Sequence, residues 1–404
     1  MKVLQVNCVY KKGSTGKITY DIHTHLLENG YASVVCYGRG SKIKEPNVYK
    51  VCGEVYAKAH NLLSRLTGIM YGGCNFSTRK LISVIKKEKP DVVHLQCING
   101  YFVNIYKLVS WLKKKNIRTV LTLHAEFMYT ANCAHALDCE KWKTGCGNCS
   151  RLKAETGSIL IDGTAKSFRK MKKAFEGFER NCTIVSVSPW LMSRAKDSLI
   201  LKDFEHKVVL NGLDTEVFKP CDTDEIKKDL GITDEKVIFH ATPSFSDDPD
   251  HIKGGYYILK IAEALKGENV KVVVAGKYDS NIKVPENVIL LGNIPDQKLL
   301  ARYYSLADVT VIASKKETFS MIVAESLCCG TPVAGFKAGA PEQIALPQYS
   351  SFSEYGDIDD LIEKVKKMLD EKKCSDEICQ AARQKYSKEV MASNYIKAYF
   401  DCEI

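Results

Sequence analysis

The chain has 404 residues, 45% of them hydrophobic and 26% charged, which is too long for one ordinary core and normal for a folded protein, so two domains are expected. It contains no run of about 18 apolar residues, and its start, "MKVLQVNCVY", lacks the apolar core and cleavage site of a secretion signal; a membrane-spanning helix is excluded and a cytoplasmic protein expected. A net charge of +10 favours an anionic partner, whether nucleic acid, a phosphorylated small molecule or an anionic membrane.

Short β-branched runs alternate with helical patterns. "KVLQVNCV" (2–9) reads as a strand and is followed by the helix "KITYDIHTHLLENG". Further strands are expected at 32–38, 91–96, 118–124 and 183–188. The alternation restarts after position 220, with strands at 236–242, 270–276, 287–292, 307–314 and 331–336. Near-continuous apolar strands separated by helices predict parallel sheets covered on both faces. Two such series predict two doubly wound, Rossmann-like α/β domains with a ligand in the cleft between them, at the carboxyl ends of the strands. The turn-rich "NGLDTEVFKP" marks the boundary. The N-terminal domain is expected over 1–210 and the C-terminal domain over 211–384, with 385–404 packing back on the first.

Three strand ends carry chemistry. The first runs into "KKGSTGK", where Gly13 and Gly16 allow close backbone approach at a helix start. A plain strand-to-helix turn explains them as well as a ligand loop does. In the second half, Lys253 and Gly254 precede another helix. This is either a phosphate clamp or a solvated lysine at a turn.

The third strand end is "KKETFSMIVAESLCCGTPV" (315–333). Glu317 lies in the loop after a strand, Thr318 or Ser320 is placed to cap the next helix, and Glu325 follows on that helix. The N–H groups of Phe319, Ser320 and Met321 lie between the two carboxylates. A nucleotide-sugar fits: its pyrophosphate takes the N–H groups and its hydroxyls take the carboxylates. Otherwise Glu317 is a first-turn dipole residue and Glu325 a solvated one, although its apolar flanks disfavour that.

Of sixteen cysteines, most are scattered singly and read as small buried hydrophobes in a reducing compartment. Cys133, Cys139, Cys146 and Cys149 form a cluster that ends in a tight C-x-x-C. That pair suits a structural tetrahedral zinc. The irregular earlier spacings leave free thiols or disulfides open, and His135 competes as a ligand. In "AKSFRKMKKAFEGFER" (165–180), Phe168, Met171, Phe175 and Phe178 share one face ringed by bases. That pattern describes either a basic amphipathic helix on a lipid surface or a core helix with a solvated face.

The spaced glutamates with "GTPV" after them, "NGLDTEVFKP", "IPDQKLLARYYSLADVTVIAS" and "GFKAGAPEQI" resemble the retaining GT-B glycosyltransferases of glycosyltransferase family 4, over nearly the whole chain. The stretch "TLHAEFMYTANCAHALDCEKWKTGCGNC" is similar to that of the bacterial capsular, exopolysaccharide and O-antigen enzymes. The resemblance implies roles. Glu317 would bind donor-sugar hydroxyls near the reacting carbon and Glu325 the ribose. Lys253, beside Gly254, would neutralise the leaving diphosphate with help from the N–H groups of Phe319 to Met321. Gly13 and Gly16 would line the loop facing donor and acceptor, and His124 would sit by the sugar and the acceptor hydroxyl.

The implied reaction retains the anomeric configuration. It moves a sugar from a UDP- or GDP-sugar to a glycan or lipid-linked acceptor in surface polysaccharide synthesis, with peripheral contact at the inner face of the plasma membrane. No cofactor is implied for catalysis. Two positions depart from the family: no arginine precedes Lys253 in "HATPSFSDDPDHIK", and Ala125 follows His124 where an aspartate is frequent. A catalytically weak binding scaffold is therefore a second reading, and a glycoside hydrolase using Glu317 and Glu325 a third. The spread of basic residues and the lack of a recognised module argue against nucleic-acid binding.

Overall fold

A computed structural model describes all residues except 159, 372–373 and 401–404. The chain divides into two compact units, Met1–Leu210 with Met391–Ile404, and Asn211–Val390. Each is built on one sheet whose strand pairs are all parallel.

The first unit contains β1 (Lys2–Asn7), β2 (Ala32–Tyr37), β3 (Val48–Lys50), β4 (Val92–Leu95), β5 (Thr119–Leu123), β6 (Cys182–Ser186) and β7 (Glu205–Val208). Their order is β3-β2-β1-β4-β5-β6-β7. The second contains β8 (Lys236–Ser244), β9 (Val270–Lys277), β10 (Val288–Gly292), β11 (Val309–Ile312), β12 (Val333–Phe336) and β13 (Ser350–Ser353), in the order β10-β9-β8-β11-β12-β13. Both sheets thus have the doubly wound order. The direction of winding reverses between β1 and β4 in one and between β8 and β11 in the other, and crevices open at such reversals.

The central strands are apolar along most of their length because helices cover both faces. In the first core, Val3, Val120 and Val185 pack with Ile18, Ile22 and Leu26 of the helix Gly13–Glu28. The helix Lys388–Tyr399 joins this core through Met391, Ala392, Tyr395, Ala398 and Tyr399. Of the C-terminal segment expected to pack back on this domain, 401–404 lie outside the described residues.

A buried polar chain fastens that helix to the sheet. Thr122 Oγ1 donates to Tyr395 Oη at 3.1 Å, so its contact with His94 Nε2 at 2.8 Å must be one it accepts. Tyr399 Oη then donates to His94 Nδ1 at 2.8 Å. Burial, reinforced by nearby His124, pulls the His94 pKa down to about 3, so the ring is neutral and both of its nitrogens are paired.

Two expectations change here. The helix Thr164–Phe175 exists, but Phe168, Met171 and Phe175 are buried, as is Phe178 beyond it. The helix packs against the helix Ile105–Lys114. Its apolar face is core and unavailable to lipid, because periodicity alone does not say what an apolar face meets. "NGLDTEVFKP" is an ordered part of the second unit rather than a free linker: Leu213 exchanges backbone hydrogen bonds with Tyr386 and Lys388 at 2.9 Å each, and Phe218 is buried. Among the described residues, no helix is long and apolar enough to cross a membrane.

Candidate active site

In the second unit the winding reverses between β8 and β11, and the expected phosphate residue Lys253 and the expected sugar-binding Glu317 meet there. The loop after β8 ends at Gly254, which has φ +69° and lies so close to β11 that a Cβ would come 2.0 Å from the Ala313 carbonyl oxygen. Only glycine fits both the backbone and the space. The Lys315 N–H donates to the Ile252 carbonyl at 2.8 Å, which ties the two loops together. Lys253 is thereby delivered to Glu317, with Nζ 2.6 Å from Oε1. The Glu317 side chain is mostly shielded and Lys253 is about a quarter exposed.

Glu317 is held from behind. Its N–H donates to the Ala338 carbonyl at 3.0 Å, and its own carbonyl accepts from Ala340 at 3.3 Å. Glu342 supports that second loop by accepting from the N–H groups of Ala338 and Gly339. The "GFKAGAPEQI" segment is therefore the brace of the Glu317 loop.

The helix Met321–Cys328 follows. Ser320 sits at its N-cap, but not as expected: its φ is +79° and ψ 90°, and no side-chain cap bond forms. A left-handed backbone turns the hydroxyl away from the N–H groups it would cap. Serine in this region is strained, and its buried Oγ has no hydrogen-bond partner. The first N–H groups of the helix have no intrahelical acceptors and carry its positive dipole end. A buried hydroxyl with no partner, a helix start and an ammonium group on the neighbouring loop are the kinds of group that bind anions.

Glu325 lies further along that helix and faces a different space. With Tyr304 it lines a cavity of about 170 Å³ at the ends of β8 and β9, walled also by Thr242, Pro243, Asn293 and Ile294. Tyr304 Oη donates to Glu325 Oε2 at 3.0 Å, and Tyr304 is fully buried against Phe239 and Phe218. Gly276 lets β9 approach β8, since a Cβ there would lie 2.4 Å from the Thr242 carbonyl oxygen. Thr242 and Asn293 carry no motif in the sequence, and Tyr304 lies in the family-like segment "IPDQKLLARYYSLADVTVIAS" without being singled out there.

In the first unit, Gly13 and Gly16 serve one turn. Gly13 takes φ +65° with open space around its Cβ direction, whereas a Cβ on Gly16 would crowd Val9 at 3.1 Å. Lys11 N–H donates to the Gly16 carbonyl at 3.0 Å. His124 follows β5 and is half-buried; desolvation lowers its pKa to about 4, so it is neutral near pH 7 and able both to donate and to accept. Its neighbour Glu126 has a structural role. It is buried and accepts from Arg194 Nε, Tyr129 Oη and the Ala136 N–H, each at 2.6 Å.

Glu126 anchors the cysteine-bearing excursion. Trp142 of that segment is buried against Tyr129, with the Arg194 guanidinium 4.8 Å from its ring centre. Cys133, Cys139, Cys146 and Cys149 are free thiols and all line one small cavity of about 30 Å³, together with Arg151 and Glu155; His135 is not in its wall. Among the described residues, no three His, Cys, Asp or Glu side chains are grouped as a metal's ligands.

Residues 222–385 match the family of glycosyl transferases group 1. Along 99% of both chains, the protein is 25% identical to a protein of Escherichia coli K12 named as the colanic acid biosynthesis glycosyl transferase WcaC. Its fold matches sucrose-phosphate synthase of Thermosynechococcus elongatus with a TM-score of 0.67 at 13% identity, over 99% of this chain and 98% of that one. It also matches Anabaena HepE in complex with UDP with a TM-score of 0.65 at 14% identity, over 99% of this chain and 100% of that one; HepE is known with UDP-glucose as well. The two sheets are those of the GT-B fold, and with a group 1 domain spanning the helix of Glu325 and the loop of Lys253, the chain is a GT-B glycosyltransferase.

Proposed function

We propose that the protein transfers a hexose from a UDP-sugar to a glycan or lipid-linked acceptor in the synthesis of a surface polysaccharide, with retention at the anomeric carbon. The observation that carries this reading is the meeting of Lys253 and Glu317 beside the helix start at Ser320 and Met321. The diphosphate takes Lys253, the Ser320 hydroxyl and the helix N–H groups. The released Glu317 carboxylate then accepts from hydroxyls of the donor sugar, and Glu325, held by Tyr304, accepts from the ribose. HepE with UDP and UDP-glucose supports the choice of base, and the WcaC relative supports the polysaccharide setting.

In this mechanism the bond from the anomeric carbon to the β-phosphate oxygen breaks as the acceptor oxygen attacks from the same face. The acceptor's proton passes to the departing β-phosphate oxygen. Lys253 and the helix dipole meet the charge that develops there, so the chain's contribution is orientation and preorganised electrostatics. The hydrolase reading finds no pair of carboxylates acting on one bond, since Glu317 is engaged with Lys253 and Glu325 with Tyr304 in a separate cavity.

Stereochemistry tests the proposal. Proton NMR of the sugar first released or transferred from an α-linked UDP-sugar is expected to show the α anomer. The β anomer as first product would overturn retention, and with it the same-face step.

A further inference from the structure

The first unit holds a cavity of about 140 Å³ that the donor reaction leaves unused. It lies between the helix Glu54–Thr67, the loop that follows that helix and the loop after β4. Its frame is strained. Tyr71, Cys74 and Tyr101 all line it, and all three have left-handed backbones, at φ 54°, 59° and 54°. Bulky residues keep such a backbone only where the surroundings over-determine it, and strain of this kind gathers at ligand clamps. Here Cys74 Sγ donates to the Tyr101 carbonyl at 2.8 Å, Asn104 Nδ2 to that of Gly72 at 2.7 Å, and Tyr106 Oη to that of Met70 at 2.6 Å. These bonds hold the Tyr71 and Tyr101 rings beside each other, with centres 5.3 Å apart. Tyr71 also packs on Phe127 at 5.7 Å, in the short helix just after His124, so the cavity adjoins the strand end that carries His124.

The polar groups of the wall are of one kind. Lys170, from the helix Thr164–Phe175, and His60 are in it, and among the described residues no acidic side chain is. His60 Nδ1 is buried without a partner, which leaves Nε2 to carry the proton and donate. Tyr71 is only 6% exposed, and among the described residues its hydroxyl has no hydrogen-bond partner. The wall therefore offers aromatic faces, donors and a cation, with no carboxylate of its own.

We infer that this cavity is a subsite for an acidic sugar of the acceptor glycan, a uronate whose ring lies against Tyr71 and Tyr101 and whose carboxylate takes Lys170 and His60. The inference rests on the acceptor being a glycan, as proposed above. A neutral sugar would use the ring faces but leave the cation unmatched, whereas a uronate uses both.

Saturation-transfer NMR of the full chain with methyl glucuronide and with methyl glucoside is the test, because the two sugars differ only in the carboxylate. The glucuronide is expected to bind, and the glucoside to bind about fivefold more weakly. Lys170→Gln, at an exposed position, should fold normally, weaken the glucuronide by about the same factor and leave the glucoside as it was. Binding of neither sugar, equal binding of both, or a variant that keeps the preference would overturn the inference. So would displacement of the glucuronide by an equal concentration of inorganic phosphate, which would make the cavity a site for any anion. Neither Lys170 nor His60 lines the Glu325 cavity, so stabilisation by UDP should persist in Lys170→Gln. A chain that binds the glucuronide but not UDP would strike the donor reading alone, and the reverse would strike the subsite alone.

Discussion

Lys253→Ala is expected to lower kcat about 100- to 1000-fold, the effect of removing one preorganised group that meets charge developing in a transition state. The lysine is the cation fixed at the winding reversal by Gly254 and by the Lys315–Ile252 backbone bond, and its partner Glu317 lies 2.6 Å away. Glu317 is mostly shielded, so losing its cation should also cost some stability, and kcat is read where the variant is still folded. Affinity for UDP should fall less than turnover, because Ser320 and the helix N–H groups remain and the leaving charge is greatest only as the bond breaks. Steady-state kinetics with a thermal melt of the same sample checks both parts. A variant that keeps most of its kcat would remove Lys253 from the mechanism.

Arg194→Ala is expected to destabilise the protein by about 3–5 kcal/mol. The change leaves buried Glu126 without its cation, though Tyr129 and the Ala136 N–H still donate to it. It also strips the guanidinium from the faces of Trp142 and Trp190. Urea unfolding measures the loss. Glu126→Gln/Arg194→Met, which removes both charges, should recover a good part of it, because the dominant penalty is the orphaned carboxylate. A single-variant loss below about 1 kcal/mol would mean the pair is solvated like a surface ion pair.

These two sites differ in how far the sequence announces them. Lys253, Glu317 and Glu325 stand at strand ends and helix starts, so a strand-by-strand reading finds them. Tyr304 and Thr242 are distant in sequence and share a cavity with Glu325 only through the order β10-β9-β8-β11-β12-β13. Glu126, next to the departure at Ala125, is not singled out by the sequence, and its role shows only in its three donors.

The strands divide the same way. Buried central strands are legible as apolar runs. Three of the four edge strands, Val48–Lys50, Glu205–Val208 and Ser350–Ser353, are short, partly exposed and mixed in polarity, which leaves no apolar run to read; the fourth, Val288–Gly292, is apolar and legible. Ser320 misleads in another way. Serine before a helix predicts a cap, but residue type does not reveal a left-handed backbone. The helix Thr164–Phe175 shows the limit of periodicity: its apolar stripe went to the core.

In the proposed reaction the cavity of Glu325 and the helix start at Ser320 together hold a nucleotide-sugar. Thermal melts of wild type and Glu325→Ala against UDP-, GDP-, ADP- and CMP-sugars test it most directly. UDP-sugars are expected to stabilise the wild type, with the effect largely lost in Glu325→Ala although the variant folds. Stabilisation by none of the four classes, or an equal shift in the variant, would contradict it.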